Sequence, residues 1–313
     1  MRAVVIRDGK IVVEDRPDPV PANLEVLVAV RAAGLNGADI LQRDGGYPLP
    51  PGVPADLPGM EFAGEVRAAG PGATRFAPGD RVMGLTAAAG QAELVVAHER
   101  MLMPVPGRLD WPAAGGLPEV FTTAHDALFT QCGLQAGERL LVHGAAGGVG
   151  TAAVQLGRTA GARVSATVRS AKYRDAVAAL GADVLSPDGF IDDGPFDVIL
   201  ELVGAPNIRD NLRALRTGGR ISVIGTGAGA TVQEFPLGLL MARRGRIHGS
   251  TLRGRSLEEK ALTARAMERS VLPLFAAGEL RVPLHRTFPL EQAAAAYDAF
   301  AAGGKLGKIV LTV

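Results

Sequence analysis

The sequence predicts an α/β protein in two parts, a β-rich, partly open barrel and a doubly wound parallel sheet. Three observations lead there. Strand-like runs and turns fill the first 118 residues with little helical periodicity, apolar strands alternate with helical segments from Leu140 onward, and strand-like character returns near the C-terminus. Alternating strands and helices build a parallel sheet covered on both faces. The returning tail belongs with the first part, so the expected domains are 1–118 with 270–313, and 119–269.

In the first part, Ala3–Ile6, Ile11–Glu14 and the alternating Glu25–Arg31 read as strands. Ile40–Arg43 is helix-like, and the prolines that follow Tyr47, at positions 48, 50, 51, 54 and 58, make a stiff loop that no central strand can include. Gly59–Val66, Phe76–Val82 and Ala92–Ala97 continue the β pattern, and a helix is expected over Thr122–Gln131. In the second part Leu140–Val142, Arg163–Val168, Phe196–Glu201, Gly219–Ile224 and Ile247–Thr251 are the strand candidates. Ser256 and Glu259 fit a capping box, in which each side chain bonds the other residue's backbone N–H, opening a helix to about Ala277. Strand Leu284–Phe288, helix Leu290–Ala301 and strand Leu306–Val313 complete the chain.

With 313 residues, 47% hydrophobic and 21% charged, the chain is long enough for two globular domains, and its composition excludes extended disorder. Its 33 basic and 32 acidic residues nearly balance, and no basic run is interleaved with aromatics, so nucleic acid is not an expected partner. Arg243–Arg246 reads as a solvated turn. The single cysteine, Cys132, excludes a disulfide framework and any multi-cysteine metal site, and it suits a reducing cytoplasm. No segment approaches the roughly 20 apolar residues of a membrane span, so a cytoplasmic protein is expected.

Chemistry enters at Leu140–Gly150 (LLVHGAAGGVG), where an apolar run meets a glycine-rich turn and then a helix-compatible segment. Gly147 and Gly150 have the last two spacings of G-x-G-x-x-G, and Ala145 replaces the first glycine. Such a turn lets backbone N–H groups approach a pyrophosphate at a helix N-terminus. At the end of the next strand, enzymes using NAD place an acid against the ribose hydroxyls. Here Arg169, Ser170 and Lys172 stand there, with no acid before Asp175. Charge-assisted bonds from these groups suit the 2′-phosphate of NADPH. The alternative is that Ser170 caps a helix and the two basic residues are solvated.

Five motifs in one order, Ala33–Asp39 (AGLNGAD), Tyr47–Pro51, Pro58–Gly64 (PGMEFAG), Gly79–Val82 and His143–Gly150, give the whole chain a resemblance to the zinc-free quinone oxidoreductases. These form the zeta-crystallin-like branch of the medium-chain dehydrogenase/reductase superfamily, and the chain looks closest to the tumour-suppressor-inducible quinone reductase group. The resemblance implies a GroES-like barrel and a Rossmann domain with the cofactor in the cleft, NADPH as cofactor, and a homodimer paired through a sheet edge near Ile247–Thr251. It also implies no metal. Zinc-dependent relatives carry Cys at the place of Asn36 and His at that of Met60, and this chain lacks their cysteine-rich lobe. Its five histidines have no close ligand spacing.

Further roles follow from the same resemblance. Asn36 and Asp39 correspond to the Asn and Asp placed near nicotinamide and substrate, Tyr47 to a tyrosine of the quinone pocket, and Thr123 to a threonine beside the nicotinamide. The cofactor contacts are Gly144, Ala145, Ala146, Gly147, Gly148, Val149, Arg169, Ser170, Lys172, Val203, Gly225, Ser250, Leu252, Arg253 and Lys305. One departure is that Leu185–Pro187 offers no tyrosine for the ribose phosphate. Read alone, Asn36 and Asp39 also fit a helix cap and its first turn, and Tyr47 fits packing. The expected activity is NADPH-dependent reduction of a quinone. Reduction of conjugated enals or enones, or non-catalytic NADPH binding, are the alternatives.

Overall fold

The computed structural model describes all 313 residues. In chain order the strands are β1 (Arg2–Arg7), β2 (Lys10–Asp15), β3 (Glu25–Gly34), β4 (Glu61–Ala69), β5 (Arg81–Leu85), β6 (Leu94–His98), β7 (Leu102–Pro104), β8 (Arg139–Val142), β9 (Arg163–Thr167), β10 (Asp183–Leu185), β11 (Phe196–Glu201), β12 (Leu215–Val223), β13 (Arg246–Gly249), β14 (Leu284–Pro289) and β15 (Lys308–Thr312). The helices are α1 (Gly37–Arg43), α2 (Trp111–Gly115), α3 (Pro118–His125), α4 (Gly148–Thr159), α5 (Arg174–Ala178), α6 (Ile208–Ala214), α7 (Leu237–Arg243), α8 (Leu257–Ser270), α9 (Leu272–Ala277) and α10 (Ala293–Ala301). No helix is long and apolar enough to cross a membrane.

The chain divides into two compact units, Met1–Thr122 with Leu252–Val313, and Thr123–Thr251. The rejoining point therefore lies at residue 252, before the expected 270, and the first junction lies at 122, past the expected 118. The reason is α8. Arg265 on α8 donates to the Leu102 carbonyl at 2.7 Å, and Arg75 reaches Glu268 at 3.0 Å, so the helix is tied to the barrel's strands and loops. Its capping box forms as expected, with Ser256 and Glu259 bonded reciprocally. The single helix expected to Ala277 is broken after Ser270, because Pro273 has no N–H to continue the ladder.

The first unit holds a seven-stranded sheet, ordered β14-β15-β3-β4-β5-β7 with β6 also pairing β3, and a separate β1–β2 hairpin. Alternation along β3 turns Val26, Val28 and Val30 into a core with Phe62, Val66, Val82, Val95 and Leu102. The second unit is a six-stranded parallel sheet, ordered β10-β9-β8-β11-β12-β13. Its β11 is buried at every position, as a strand covered on both faces should be. β13 forms one edge, at the place expected for it. The helix expected over Thr122–Gln131 is α3 followed by a wider π-helical turn, Asp126–Gln131.

Candidate active site

The predicted site residues fall into two groups, one in each unit. In the second unit the glycine-rich turn leads into α4, whose N-cap is Gly147. A Cβ on Gly150 would lie 2.6 Å from the Ala145 Cα, so this glycine lets the helix close on its own loop. Gly147 is different. Its backbone is extended (φ −73°, ψ 168°), and a Cβ there would meet nothing closer than the Gly144 carbonyl at 3.4 Å. Neither backbone nor packing requires a glycine at 147, whereas a phosphate approaching the helix N-terminus would.

Arg169 and Lys172 are exposed just beyond β9, and neither has an ion-pair partner; Lys172 lies over the Tyr173 ring at 5.2 Å. Ser170 occupies the N-cap position of the 3-10 turn Ala171–Tyr173 but makes no side-chain cap bond. These groups fit a dinucleotide phosphate: N–H groups at a helix N-terminus after β8, and two cations without an ion-pair partner after the adjacent strand β9. Val203 sits in the turn after β11, its N–H bonded to Glu201 Oε1 at 2.7 Å. Gly225 passes so close to Leu202 that a Cβ would come within 2.3 Å of its carbonyl oxygen. Ser250 Oγ donates to Asp126 Oδ2 at 3.0 Å, and Thr123 is buried in α3. Leu252 and Arg253, expected in the same cofactor loop as Ser250, belong to the first unit.

In the first unit Asn36, Asp39 and Tyr47 share one neighbourhood. Asp39 is fully buried. Its Oδ2 accepts the Asn36 N–H at 2.8 Å and its Oδ1 the Gly59 N–H at 3.1 Å, so it caps α1 and ties the helix to the Pro-rich loop. Burial pushes its pKa up to about 6 against the pull of those N–H groups and of Lys308. Asn36 is the N-cap residue of α1, and its side chain also reaches the barrel's strands. Its Nδ2 donates to Glu61 Oε1 at 2.9 Å and its Oδ1 accepts from Lys308 Nζ at 2.7 Å, leaving one amide N–H uncommitted.

Lys308 and Glu61 were not legible as site residues, yet they organise the cluster. Lys308 Nζ lies 2.6 Å from Glu61 Oε1 and donates to the Leu35 carbonyl at 2.6 Å as well as to Asn36. Glu61 Oε2 accepts the Glu119 N–H at 2.8 Å. Gly34 is needed because a Cβ there would sit 2.2 Å from Glu61 Oε1. The available signal was a pair of opposite charges in two apolar strands, β4 and β15.

Tyr47 is half-buried, and its hydroxyl has no protein partner; burial is the main cause raising its pKa. The Arg253 guanidinium lies 5.2 Å from the Tyr47 ring centre, held by the Ala87 carbonyl and by Gln42 Oε1, each at 2.7 Å. Lys305 Nζ lies over the Phe300 ring at 3.7 Å.

The chain matches the family Zinc-binding dehydrogenase over residues 153–311 and the Alcohol dehydrogenase GroES-like domain over residues 22–133. The chain belongs to the medium-chain dehydrogenase/reductase superfamily. Quinone oxidoreductase from Rattus norvegicus is 32% identical over 94% of this chain and 90% of its own length, and the Homo sapiens quinone oxidoreductase is 31% identical over 99% and 97%. The solved quinone oxidoreductase of Pseudomonas syringae pv. Tomato superposes with a TM-score of 0.88 at 27% identity, covering 100% of this chain and 99% of that one. These relatives place the chain in the oxidoreductase branch that resembles zeta-crystallin. The spectinabilin polyketide synthase system protein NorB of Streptomyces orinoci is 38% identical over 92% of this chain, which spans only 13% of that protein.

Despite the name of the matching family, the residues present do not fit a catalytic zinc. Asn36 offers an amide and Met60 a thioether, and both oxygens of Glu61 already accept bonds from Lys308, Asn36 and the Glu119 N–H. No group of three His, Cys, Asp or Glu residues converges elsewhere. The ammonium of Lys308 lies against the carboxylate instead.

Proposed function

We propose that the chain is an NADPH-dependent reductase of quinones that works without a metal. The observation that carries this reading is the closed Lys308–Glu61–Asn36 cluster, which leaves hydrogen-bond donors, and no Lewis acid, to meet an acceptor's oxygen. NADPH supplies a hydride when bound. On that transfer a quinone oxygen becomes a stabilised anion, which needs less help than the alkoxide of a simple ketone. The free amide N–H of Asn36 and the unpartnered hydroxyl of Tyr47 donate to that oxygen, while Asp39 holds α1 in place. The quinone oxidoreductase relatives support the acceptor class.

For the cofactor, Arg169 with Lys172 favours the 2′-phosphate of NADPH over NADH. The remaining predicted contacts of the second unit serve the pyrophosphate and nicotinamide portions; Leu252, Arg253 and Lys305 lie in the first unit. The second reading is reduction of conjugated enals and enones, because the enolate oxygen formed by hydride addition would take the same two hydrogen bonds. Steady-state NADPH oxidation against matched quinones and enones tests the choice: higher kcat/KM for quinones is expected, and higher kcat/KM for enones would overturn the first reading in favour of the second.

A further inference from the structure

His143 follows β8, Thr167 closes β9 and Glu201 closes β11, and these three strands lie side by side in the order β9-β8-β11. Together with Asn211 of α6 their side chains make one buried chain of hydrogen bonds. Thr167 Oγ1 is 3.0 Å from His143 Nδ1, His143 Nε2 is 2.7 Å from Asn211 Oδ1, and Asn211 Nδ2 donates to Glu201 Oε2 at 2.6 Å. The other oxygen, Glu201 Oε1, accepts the N–H groups of Val203 at 2.7 Å and Gly204 at 2.8 Å and the Asn207 amide at 3.3 Å.

The chemistry fixes the direction of every bond. Glu201 accepts at both oxygens, so Asn211 turns its NH2 to the carboxylate and its carbonyl to His143. The imidazole therefore carries its proton on Nε2, and its Nδ1 accepts from the Thr167 hydroxyl. Burial, the main influence, lowers the His143 pKa and keeps the ring neutral, as this arrangement requires. The Phe190 ring closes on the imidazole at 4.7 Å between centres. Hydrocarbon of similar volume would often fill such a space with no loss of stability, so packing alone does not call for a polar chain.

Its position does call for one. Each of the three strands ends where a candidate cofactor segment begins: Gly144–Gly150 after β8, Arg169–Lys172 after β9, and Val203–Gly204 after β11. Backbone pairing alone carries the sheet only slightly past the strand ends, with His143 N–H on the Leu200 carbonyl and Ala145 N–H on the Thr167 carbonyl. We propose that the Thr167–His143–Asn211–Glu201 relay is a positioning device that holds these three turns in one register for a bound dinucleotide. The proposal rests on the reading of this unit as the NADPH-binding part. None of the four residues needs to touch the cofactor.

The experiment measures binding of NADPH and of NADH to folded protein by nicotinamide fluorescence, beside thermal melting. Asn211→Ala is expected to weaken both nucleotides alike, by about ten-fold, because the pyrophosphate turn common to both is loosened. Glu201→Gln is expected to bind as the wild type does. Its Oε1 still serves Val203 and Gly204, its NH2 faces Asn211, that amide flips, and the imidazole proton moves to Nδ1, which imidazole 15N shifts report. All bonds survive with the relay reversed. If Asn211→Ala does not fold, Thr167→Val carries the test, with an expected loss of about three-fold for the one hydrogen bond removed. Alanine or valine variants that melt lower yet bind both nucleotides like the wild type would overturn the relay alone. A wild-type protein that binds neither nucleotide would overturn the relay and the NADPH reading together.

Discussion

Arg169 and Tyr47 are the two single residues on which the proposed chemistry depends, and both present uncommitted polar groups. Arg169 is exposed without a carboxylate partner. A charge-assisted bond to a phosphate contributes about 1.5–3 kcal/mol, so Arg169→Ala should weaken NADPH roughly ten- to a hundred-fold and leave NADH unchanged, as titration of each nucleotide would show. Equal weakening of both would make Arg169 structural. Tyr47→Phe removes one hydroxyl that no protein group bonds, so it should lower quinone turnover about ten-fold with NADPH affinity intact. A loss of several thousand-fold would make Tyr47 an obligatory acid, and no loss would return it to packing. The sequence offers both as candidates, Arg169 because the end of the second strand of a dinucleotide fold is a fixed place, Tyr47 because prolines frame it. Lys308 was not. Its partner Glu61 lies in a distant strand, and no local pattern announces a contact that only the sheet's pairing creates.

Strand β15 shows how one element can fix a site that lies mostly on others. It pairs antiparallel with β3, and this register brings Lys308 to the end of β3, beside Leu35 and Asn36. Lys308 is 3% exposed and Glu61 is fully buried. Lys308→Met would leave that carboxylate with no countercharge, a change that destabilises by about 3–5 kcal/mol in buried pairs. Chemical denaturation should show such a loss, and the double variant with Glu61→Gln should recover most of it. Full stability of the single variant would mean that water, and not the ammonium, compensates Glu61. Helix α1 was legible in its first turn, where Asp39 bonds the Asn36 N–H as a cap should. The role of the Asn36 amide was not, because its partners come from β4 and β15. The break between α8 and α9 could have been read from Pro273, but the helical periodicity on either side concealed it.

At the scale of the whole molecule, the two-part architecture followed from patterning alone, since alternation of strands and helices is visible along the chain. The junctions were harder, because α8 is an ordinary capped helix and only its ties to Leu102 and Arg75 show which unit owns it. The parallel sheet leaves β13 as an edge, and the neighbouring α7 exposes Leu237 at 63% and Met241 at 76%. A second copy pairing there would cover both the open backbone and the apolar surface, so light scattering in the micromolar range is expected to find a homodimer, and a monomer would reject it. The proposed hydride transfer from NADPH to a quinone requires no metal. The most direct measurement is NADPH oxidation with a quinone by protein treated with a chelator and shown by elemental analysis to hold no stoichiometric zinc. Undiminished turnover is expected, whereas activity that vanishes on chelation and returns with zinc would show a metal-dependent enzyme.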